Sequence, residues 1–221
     1  MLTLAPLLLS LIQSPIGPPL AASVRPYPRQ SVRLALDKAE QVLIASIGGE
    51  RAATYGEMTP VGFRNLARCF DLDADDVFLD LGSGDGGLVL QAAEEFGAGA
   101  IGIELAGSRH ATALDALSKA PEGVRERVSF LCGDAAGDGA ADILATRATV
   151  VYCANLLMDD ALNQRFAERL AAAGPQLRGF ALLLPFSDGA RGFVRAQEPC
   201  SCGMSWDIHG LDHPCPVYWR E

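Results

Sequence analysis

Residues 77–87 read VFLDLGSGDGG, and the interpretation of the whole chain depends on them. Apolar residues on both sides of Asp80 predict a buried strand over 77–81, and the glycines that follow predict a tight turn. The next residues have the period of a helix, which is predicted over 86–96. A strand, a glycine-rich turn and a helix N-terminus form the first half of a βαβ unit that binds nucleotides.

The alternation of apolar strands and amphipathic helices continues beyond this unit. Helices are predicted near Ser108, around 138–146 and from Asp159 onward, between apolar runs that predict strands at 100–104, 128–132, 149–153 and 180–184. Continuous apolar strands between amphipathic helices are typical of a parallel sheet covered on both faces. The predicted fold is therefore a Rossmann-like α/β domain.

The segments before and after this alternation also carry structural signals. Helical spacing of apolar residues predicts a first helix that ends at Gly48-Gly49. Thr59 followed by Pro60 predicts the N-cap and first position of a second helix. Near the end of the chain, 203–208 and 216–219 predict an antiparallel hairpin at the sheet edge. Two helices thus precede the first strand, whereas a dinucleotide-binding domain commonly begins at that strand.

Composition restricts the classes of function. The chain has 221 residues, of which 49% are hydrophobic and 20% are charged, as expected for one globular enzyme domain. Its net charge of −9 argues against an autonomous nucleic-acid-binding surface, which would need a basic stripe. A basic partner, such as a lysine-rich protein tail, suits this charge better.

Residues 1–29 are predicted to be a leader, with the domain occupying 30–221. No charged side chain occurs in 1–24, and the apolar run at 7–12 is too short to span a bilayer, so no transmembrane span is predicted. The leader is compatible with a secretory signal that lacks its basic region, with an organellar transit segment, or with a proline-rich tail. Localisation therefore remains open.

The six cysteines do not form a recognisable framework. Cys132 and Cys153 end apolar runs and are expected to be buried thiols. A denser set near the end of the chain could supply metal ligands: Cys200, Cys202, His209, His213 and Cys215. Their spacing matches no familiar zinc motif, so no metal site is predicted.

Polar residues fall where the predicted strands end, which is where an open α/β sheet binds its ligand. Glu104, at the end of the second strand, could accept both hydroxyls of a ribose. Asp134 could hold an adenine amine, and Asp80 could orient the glycine loop or a cofactor ammonium. The complete set of strand-end candidates is Asp80, Gly82, Ser83, Gly84, Gly86, Glu104, Asp134 and Asn155.

Two nucleoside cofactors are compatible with the glycine loop. Gly82, Gly84 and Gly87 fit the dinucleotide pattern G-x-G-x-x-G, so an NAD-dependent oxidoreductase is one alternative. Three features favour S-adenosylmethionine instead. They are Asp80 within the leading strand, Asp85 where a pyrophosphate would be repelled, and the two helices ahead of the first strand.

The run 80–86 resembles the first motif of the class I S-adenosylmethionine-dependent methyltransferases. Further motifs occur in the order seen in the non-SET histone-lysine methyltransferases, the disruptor-of-telomeric-silencing family. They are Tyr55-Gly56-Glu57, 77–84, Val89-Leu90-Gln91, Gly102-Ile103-Glu104, Val150-Val151-Tyr152 with Asn155, and Leu184-Pro185-Phe186, which resembles the Lys-Pro-Phe of the family. The resemblance covers roughly residues 52–190.

This resemblance implies a seven-stranded, mostly parallel sheet, S-adenosylmethionine as cofactor, and methylation of a lysine in the nucleosome core. It places Tyr55 and Glu57 in a loop over the cofactor and Thr59 just after that loop. It places Asn155 beside the methionine moiety and the lysine channel, so Tyr55 and Asn155 are the catalytic candidates. Tyr152, by contrast, is expected in the strand core.

The chain departs from the family at two points. Residues 154–158 read ANLLM where the family has Asn-Asn-Phe-x-Phe, and Leu184 stands where the family has lysine. Alternatives to a histone substrate are therefore a non-histone or organellar protein and a small molecule. An inactive scaffold that still binds the cofactor is a further alternative.

Overall fold

The computed structural model describes residues 36–54, 56–207 and 212–221. The predicted leader, Tyr55 and His209 lie outside these ranges. The described residues belong to one compact unit. Within them, no helix has the length and apolar character needed to cross a membrane.

A sheet of seven strands forms the centre of the fold. All five predicted strands are present, as β1 (Val77–Leu81), β2 (Gly99–Glu104), β3 (Val128–Cys132), β4 (Val150–Cys153) and β5 (Gly179–Leu182). They are parallel and lie in the order β3-β2-β1-β4-β5. Leu79 in β1 lies between Ile101 in β2 and Val151 in β4. The parallel Rossmann-like sheet predicted from the apolar runs is confirmed.

Seven α-helices connect and cover these strands in the described residues: α1 (Lys38–Gly48), α2 (Pro60–Cys69), α3 (Gly87–Phe96), α4 (Gly107–Ser118), α5 (Glu122–Arg125), α6 (Asp138–Thr146) and α7 (Asp160–Ala171). Thr59 caps α2 by accepting a hydrogen bond from the backbone N–H of Gly62 at 3.0 Å, as its sequence predicts. Asp159 caps α7 in the same way. A short 3-10 helix, Asn155–Leu157, follows β4.

Both faces of the sheet are covered. On one face, Phe63 of α2 packs edge-on against Phe78 of β1, with ring centroids 5.1 Å apart. On the other face, side chains of α6 and α7, including Ile143 and Phe166, join the core formed by β1, β2, β4 and β5. The predicted helices on both faces are confirmed.

Short strands near the end of the chain complete the sheet. Strand β6 (Phe193–Arg195) forms the edge, and β9 (Val217–Arg220) lies antiparallel between β5 and β6. The predicted antiparallel pair at the sheet edge is therefore present. The prediction of 203–208 as its first segment is wrong, since β6 is the partner of β9.

Residues 200–207 have a different role. Strand β7 (Cys200–Cys202) pairs with β8 (His213–Cys215) in a separate two-stranded sheet. Residues 203–205, which follow β7, lie alongside residues 57–59. The backbone N–H of Ser205 donates to the carbonyl of Glu57 at 2.7 Å. Because these backbone groups already have partners in a distant loop, they do not pair with β9. Sequence periodicity cannot reveal such a contact.

Candidate functional site

The loop after β1 is held by the neighbouring strand β2. The backbone N–H groups of Gly82 and Ser83 both donate to the carbonyl of Ile103, each at 2.9 Å. Gly82, Gly84 and Gly86 have φ values of 90°, 57° and 82°, which favour glycine. These backbone angles explain the three glycines in the motif.

Glu104 joins the end of β2 to this loop. Its Oε2 accepts from the backbone N–H of Gly84, and its Oε1 accepts from that of Ala106, both at 2.8 Å. The side chain is 5% exposed. A carboxylate has about four acceptor positions, so each oxygen keeps one for a ligand hydroxyl.

A cavity of about 120 Å³ lies beyond the carboxyl ends of β1, β2 and β3. Strand order reverses between β1 and β4, and the crevice outside such a reversal is where open α/β sheets bind ligands. The structure therefore brings four predicted residues together around one cavity: Gly82, Gly84, Glu104 and Asp134. The other lining residues come from α1, the loop after it, the start of α4, the end of β4 and α7.

Helix α1 forms one wall of the cavity through Ile44, Ile47 and Gly48. Glu40 ties this helix to α4, because its two carboxylate oxygens accept from the backbone N–H and the hydroxyl of Ser108, both at 2.7 Å. These hydrogen bonds hold the pKa of Glu40 below its ordinary value. The sequence of α1 does not predict its place at the site, since its apolar spacing is that of any packed helix.

Arg109 is another lining residue that sequence analysis missed. It lies on the first turn of α4, and its Nη2 donates to the carbonyl of Ala53 at 3.1 Å. Arg109 thereby connects α4 to the loop after α1. Arg109 follows Glu104, the acidic end of β2, by five residues. This spacing is the one local signal that could have indicated Arg109 as a cavity residue.

Asp134 lines the cavity with both of its oxygens already hydrogen-bonded. Oδ1 accepts from the backbone N–H of Ala136 at 2.8 Å, and Oδ2 pairs with Arg165 of α7. The side chain is half-buried. It therefore anchors α7 to the turn after β3 as well as facing the cavity.

Asp80 and Ser83 are not among the residues that line the cavity. Asp80 is the buried penultimate residue of β1, opposite Gly102 of β2 and Tyr152 of β4. The buried hydroxyl of Ser83 has no hydrogen-bond partner among the described residues. Tyr152 is strand core, as expected, and burial raises its pKa well above the ordinary value.

Glu57 and Thr59 lie in a segment that the end of the chain holds in place. The backbone N–H of Glu57 donates to Ser205 Oγ at 2.9 Å, and the backbone N–H of Thr59 donates to the carbonyl of Gly203 at 2.8 Å. The Thr59 hydroxyl also donates to that carbonyl, at 3.1 Å. Neither residue lines the cavity, and Tyr55 lies outside the described residues.

Gly56 does line the cavity, and Trp206 packs directly on it. A Cβ atom at Gly56 would lie 2.4 Å from the Trp206 ring. Trp206 is nevertheless 42% exposed, and its ring centroid is 6.3 Å from that of His213. An exposed tryptophan thus borders the loop beside the cavity, a placement that no local sequence signal indicated.

Asn155 is fully buried and fully hydrogen-bonded. Its Oδ1 accepts from the backbone N–H groups of Leu183 and Leu184 at 3.0 and 2.9 Å. Its Nδ2 donates to Asn163 Oδ1 at 2.6 Å and to the carbonyl of Leu184 at 2.9 Å. All four hydrogen-bonding positions of the amide are used, so Asn155 joins the ends of β4 and β5 to α7.

The cavity residues suit a nucleoside cofactor. Gly82 exposes its backbone on the cavity side, and an added Cβ would meet only Met158 Cε, at 3.9 Å. Glu104 lines the cavity with spare acceptor positions, and Ser83 in the same loop as Gly82 and Gly84 has a buried hydroxyl without a partner among the described residues. No cluster of three or more His, Cys, Asp or Glu side chains within 36–54, 56–207 and 212–221 could hold a metal ion.

Comparison with known proteins gives one family. The sequence profile described as "Histone methylation protein DOT1" matches residues 49–178, more than half of the chain. No curated protein matches the chain. The matched range contains every cavity-lining element except α1.

Solved structures of methyltransferases are similar to this chain, and the first two below share its fold. TrmN from Thermus thermophilus is 19% identical with a TM-score of 0.58, covering 74% of this chain and 49% of TrmN. The mitomycin 7-O-methyltransferase MmcR is 18% identical with a TM-score of 0.51, covering 73% of this chain and 54% of MmcR. An RNA methyltransferase from Salinibacter ruber, solved with S-adenosyl-L-homocysteine, is 28% identical with a TM-score of 0.49, covering 74% and 92%.

The chain thus spans about half the length of TrmN and MmcR, and those likenesses concern the fold alone. The strand order, the glycine loop after β1 and the acidic end of β2 agree with that fold. With the profile match, they show that this chain belongs to the DOT1 histone methylation protein family and has the class I methyltransferase fold.

Proposed function

We propose that this chain is a protein-lysine N-methyltransferase. The observation that carries the proposal is the match of residues 49–178 to a family of histone methylation proteins. The net charge of −9 favours a basic protein as acceptor. It argues against a nucleic acid, whose phosphate backbone is also negatively charged. Leu184 and the run 154–158 depart from the family pattern, so the proposed acceptor class is lysine in a protein, with histone as one member.

We assign cofactor binding to the residues at the strand ends. Glu104 would accept the ribose hydroxyls, Asp134 would face the adenine amine, and the backbone of Gly82 and Gly84 would approach the cofactor closely. Asp80 and Ser83 would support the loop that forms this wall, while Gly86 permits its turn. Tyr55, Glu57 and Thr59 would belong to a segment that covers the cofactor. Hydrogen bonds to Gly203 and Ser205 hold residues 57–59 of this segment in place.

We propose that the acceptor lysine reaches the cavity beside Gly56, Met158 and Trp206. Gly56 and Met158 line the cavity, and the exposed indole of Trp206 borders Gly56. The exposed face of an indole attracts an ammonium group and provides an apolar wall for a lysine stem. Trp206 would thereby supply an aromatic surface that residues 154–158 lack.

The chemistry requires alignment and desolvation more than acid–base groups. When bound, S-adenosylmethionine supplies an electrophilic methyl group. The lysine must be neutral, and with an ordinary pKa of ~10.4 its deprotonation at pH 7 costs about 4.6 kcal/mol. Apolar walls such as Met158 and Ala154 would reduce this cost by disfavouring the ammonium form. Asn155 would act as a positioning residue, because its amide is wholly occupied by protein groups.

The test uses tritiated S-adenosylmethionine with two acceptors, recombinant nucleosomes and an extract of the protein's own cells. We expect label on lysine in protein from at least one of them. Gly84→Arg should abolish both cofactor binding and labelling by filling the cavity wall. Gly139→Arg is the matched control, since an added Cβ at Gly139 meets nothing within 4 Å.

The outcomes separate the remaining possibilities. Label on nucleosomal histone would show that this chain methylates the histone substrate that its family implies. Label only on other proteins would mean that the acceptor differs from it. Cofactor binding by calorimetry without any labelled protein would contradict the proposal and favour a small-molecule acceptor or an inactive scaffold.

A further inference from the structure

A disulfide joins two remote segments that meet near the cavity. Cys69, at the end of α2, is bonded to Cys200, the first residue of β7, across 131 residues of sequence. The two cysteines differ in their access to solvent, since Cys69 is exposed and Cys200 is only 4% exposed. A small thiol in solution can therefore approach this bond from the side of Cys69.

The segment 200–203 packs along α2, starting from the disulfide. Asn65 Nδ2 donates to the carbonyl of Ser201 at 3.2 Å. Further along, an added Cβ atom at Gly62 would lie 2.4 Å from the carbonyl oxygen of Gly203, so the two backbones touch there. Helix α2 and this segment thus lie side by side, with the disulfide as their covalent connection.

The opposite end of this packed pair is the loop beside the cavity. The carbonyl of Gly203 accepts from the backbone N–H of Thr59 at 2.8 Å and from its hydroxyl at 3.1 Å. Ser205 extends the contact, since its backbone N–H donates to the carbonyl of Glu57 at 2.7 Å and its Oγ accepts from the backbone N–H of Glu57 at 2.9 Å. Gly56, which lines the cavity, is the adjacent residue. Opening the disulfide therefore frees one end of a segment whose other end holds this loop.

We propose that Cys69 is a thiol-modification site, where a low-molecular-weight thiol such as glutathione opens the Cys69–Cys200 disulfide and thereby loosens the loop beside the cavity. The inference goes beyond the proposed function and does not depend on it. Cys69 is the sulfur that is attacked, because it is exposed. Cys200 is the leaving thiol, because its side chain is buried.

The exchange balances in two steps. The thiolate of glutathione attacks the Cys69 sulfur, which forms a mixed disulfide on Cys69 and releases Cys200 as a thiolate that takes up a proton. A second glutathione thiolate attacks the glutathione sulfur of this mixed disulfide, which forms oxidised glutathione and releases Cys69 as a thiolate. Overall, the protein disulfide gains two electrons and two protons, and two molecules of glutathione are oxidised. Oxidised glutathione reverses both steps.

The test equilibrates the full chain in glutathione buffers of graded oxidation, quenches with acid and maps the modified cysteines by mass spectrometry. We expect glutathione on Cys69 in the intermediate buffers and none on Cys200. Glutathione on Cys200 instead of Cys69 would overturn the proposal. So would a disulfide that stays closed in every buffer until the chain unfolds.

Two variants that both lack the disulfide form a matched pair. In Cys200→Ser the remaining thiol is the exposed Cys69, and in Cys69→Ser it is the buried Cys200. With oxidised glutathione, Cys69 in the first variant should be modified at least about 10-fold faster than Cys200 in the second. Equal rates would overturn the assignment of Cys69 as the site of attack.

Hydrogen exchange followed by NMR reports the loosening of the loop. The backbone N–H groups of Thr59 and Ser205 donate between the two segments. After reduction they should exchange at least about 10-fold faster, at labelling times for which the amides of β1 remain protected in both forms. Unchanged exchange at Thr59 and Ser205 after complete reduction would overturn the link between the disulfide and the loop. None of these readouts requires cofactor binding or methyl transfer.

Discussion

Glu104 Oε2 accepts a hydrogen bond from the backbone N–H of Gly84 at 2.8 Å. One carboxylate thereby sets the shape of the glycine loop and presents its remaining acceptor positions to the cavity. The acid at the end of β2 thus has a structural role even before a ligand binds. Loop geometry and ligand affinity should therefore change together when this group changes.

Glu104→Gln should weaken binding of S-adenosylmethionine by about 10- to 100-fold. The amide replaces one acceptor oxygen by a donor, so either Gly84 or Ala106 loses the partner of its buried N–H. Isothermal titration calorimetry measures the effect, with circular dichroism confirming that the variant is folded. Glu126→Gln, an exposed change on a distant surface, is the matched control. Equal affinity of the Glu104 variant and the wild type would contradict this account.

Gly86→Ala and Gly82→Ala should separate stability from binding. At Gly86 an added Cβ would lie 2.4 Å from Phe130 Cζ, so we expect a loss of about 2–4 kcal/mol in the free energy of unfolding. At Gly82 there is space for the methyl group, so strain alone should cost about 1–2 kcal/mol, and the larger effect should be on cofactor affinity. Urea denaturation and calorimetry report the two quantities. Adding Phe130→Leu to Gly86→Ala should restore part of its stability, and no recovery would argue against the steric explanation.

Asn155→Ala should lower the free energy of unfolding by about 3 kcal/mol, because it leaves the buried N–H groups of Leu183 and Leu184 without an acceptor. Turnover should fall with it, since the ends of β4 and β5 lose their connection. Asn163→Ala is the matched control and should cost about 1 kcal/mol, as Asn163 is less buried and contacts Asn155 through one hydrogen bond. Wild-type stability of Asn155→Ala with abolished turnover would instead show a direct part in the chemistry.

Asp76 should make stability depend on acid pH. Burial alone would raise the pKa of this carboxyl, but hydrogen bonds from Arg178 and Thr149 outweigh burial and hold it below its ordinary value. The stabilisation is therefore present above the unfolded pKa of about 3.9 and is lost as pH falls through the lower pKa of the folded state. Denaturation at several pH values should show a shallower loss below about pH 4 in Asp76→Asn, which is less stable than the wild type at pH 7. Parallel pH profiles of the two proteins would exclude this contribution.

Trp206→Ala should lower methyl transfer to protein by about 10-fold while changing cofactor affinity much less. The indole borders Gly56 from outside the cavity, so it should contact the acceptor more than the cofactor. Kinetics with the acceptor found by tritium labelling and calorimetry with S-adenosylmethionine provide the comparison. Val194→Ala, an exposed apolar position on β6, is the control. Equal losses of turnover and affinity would mean that Trp206 only supports the cofactor loop.

Local signals in the sequence predict their structural elements correctly. Apolar runs located β1 to β5, the Thr59-Pro60 and Asp159 caps located the starts of α2 and α7, and positive φ explains the glycines after β1. The prediction that Cys132 is buried is wrong, since this residue is exposed. Three-residue strands such as β6 carry too little periodicity to be recognised.

The sequence by itself determined the sheet, the glycine loop and the acids at the strand ends, because strand period, turn chemistry and helix caps act over a few neighbouring residues. Tertiary structure alone decided the contacts between remote segments. It placed α1 against the cavity, joined Cys69 to Cys200 across 131 residues, and used the whole amide of Asn155 for protein contacts. Such contacts depend on how packed elements meet in space, and residue order along the chain does not specify that meeting.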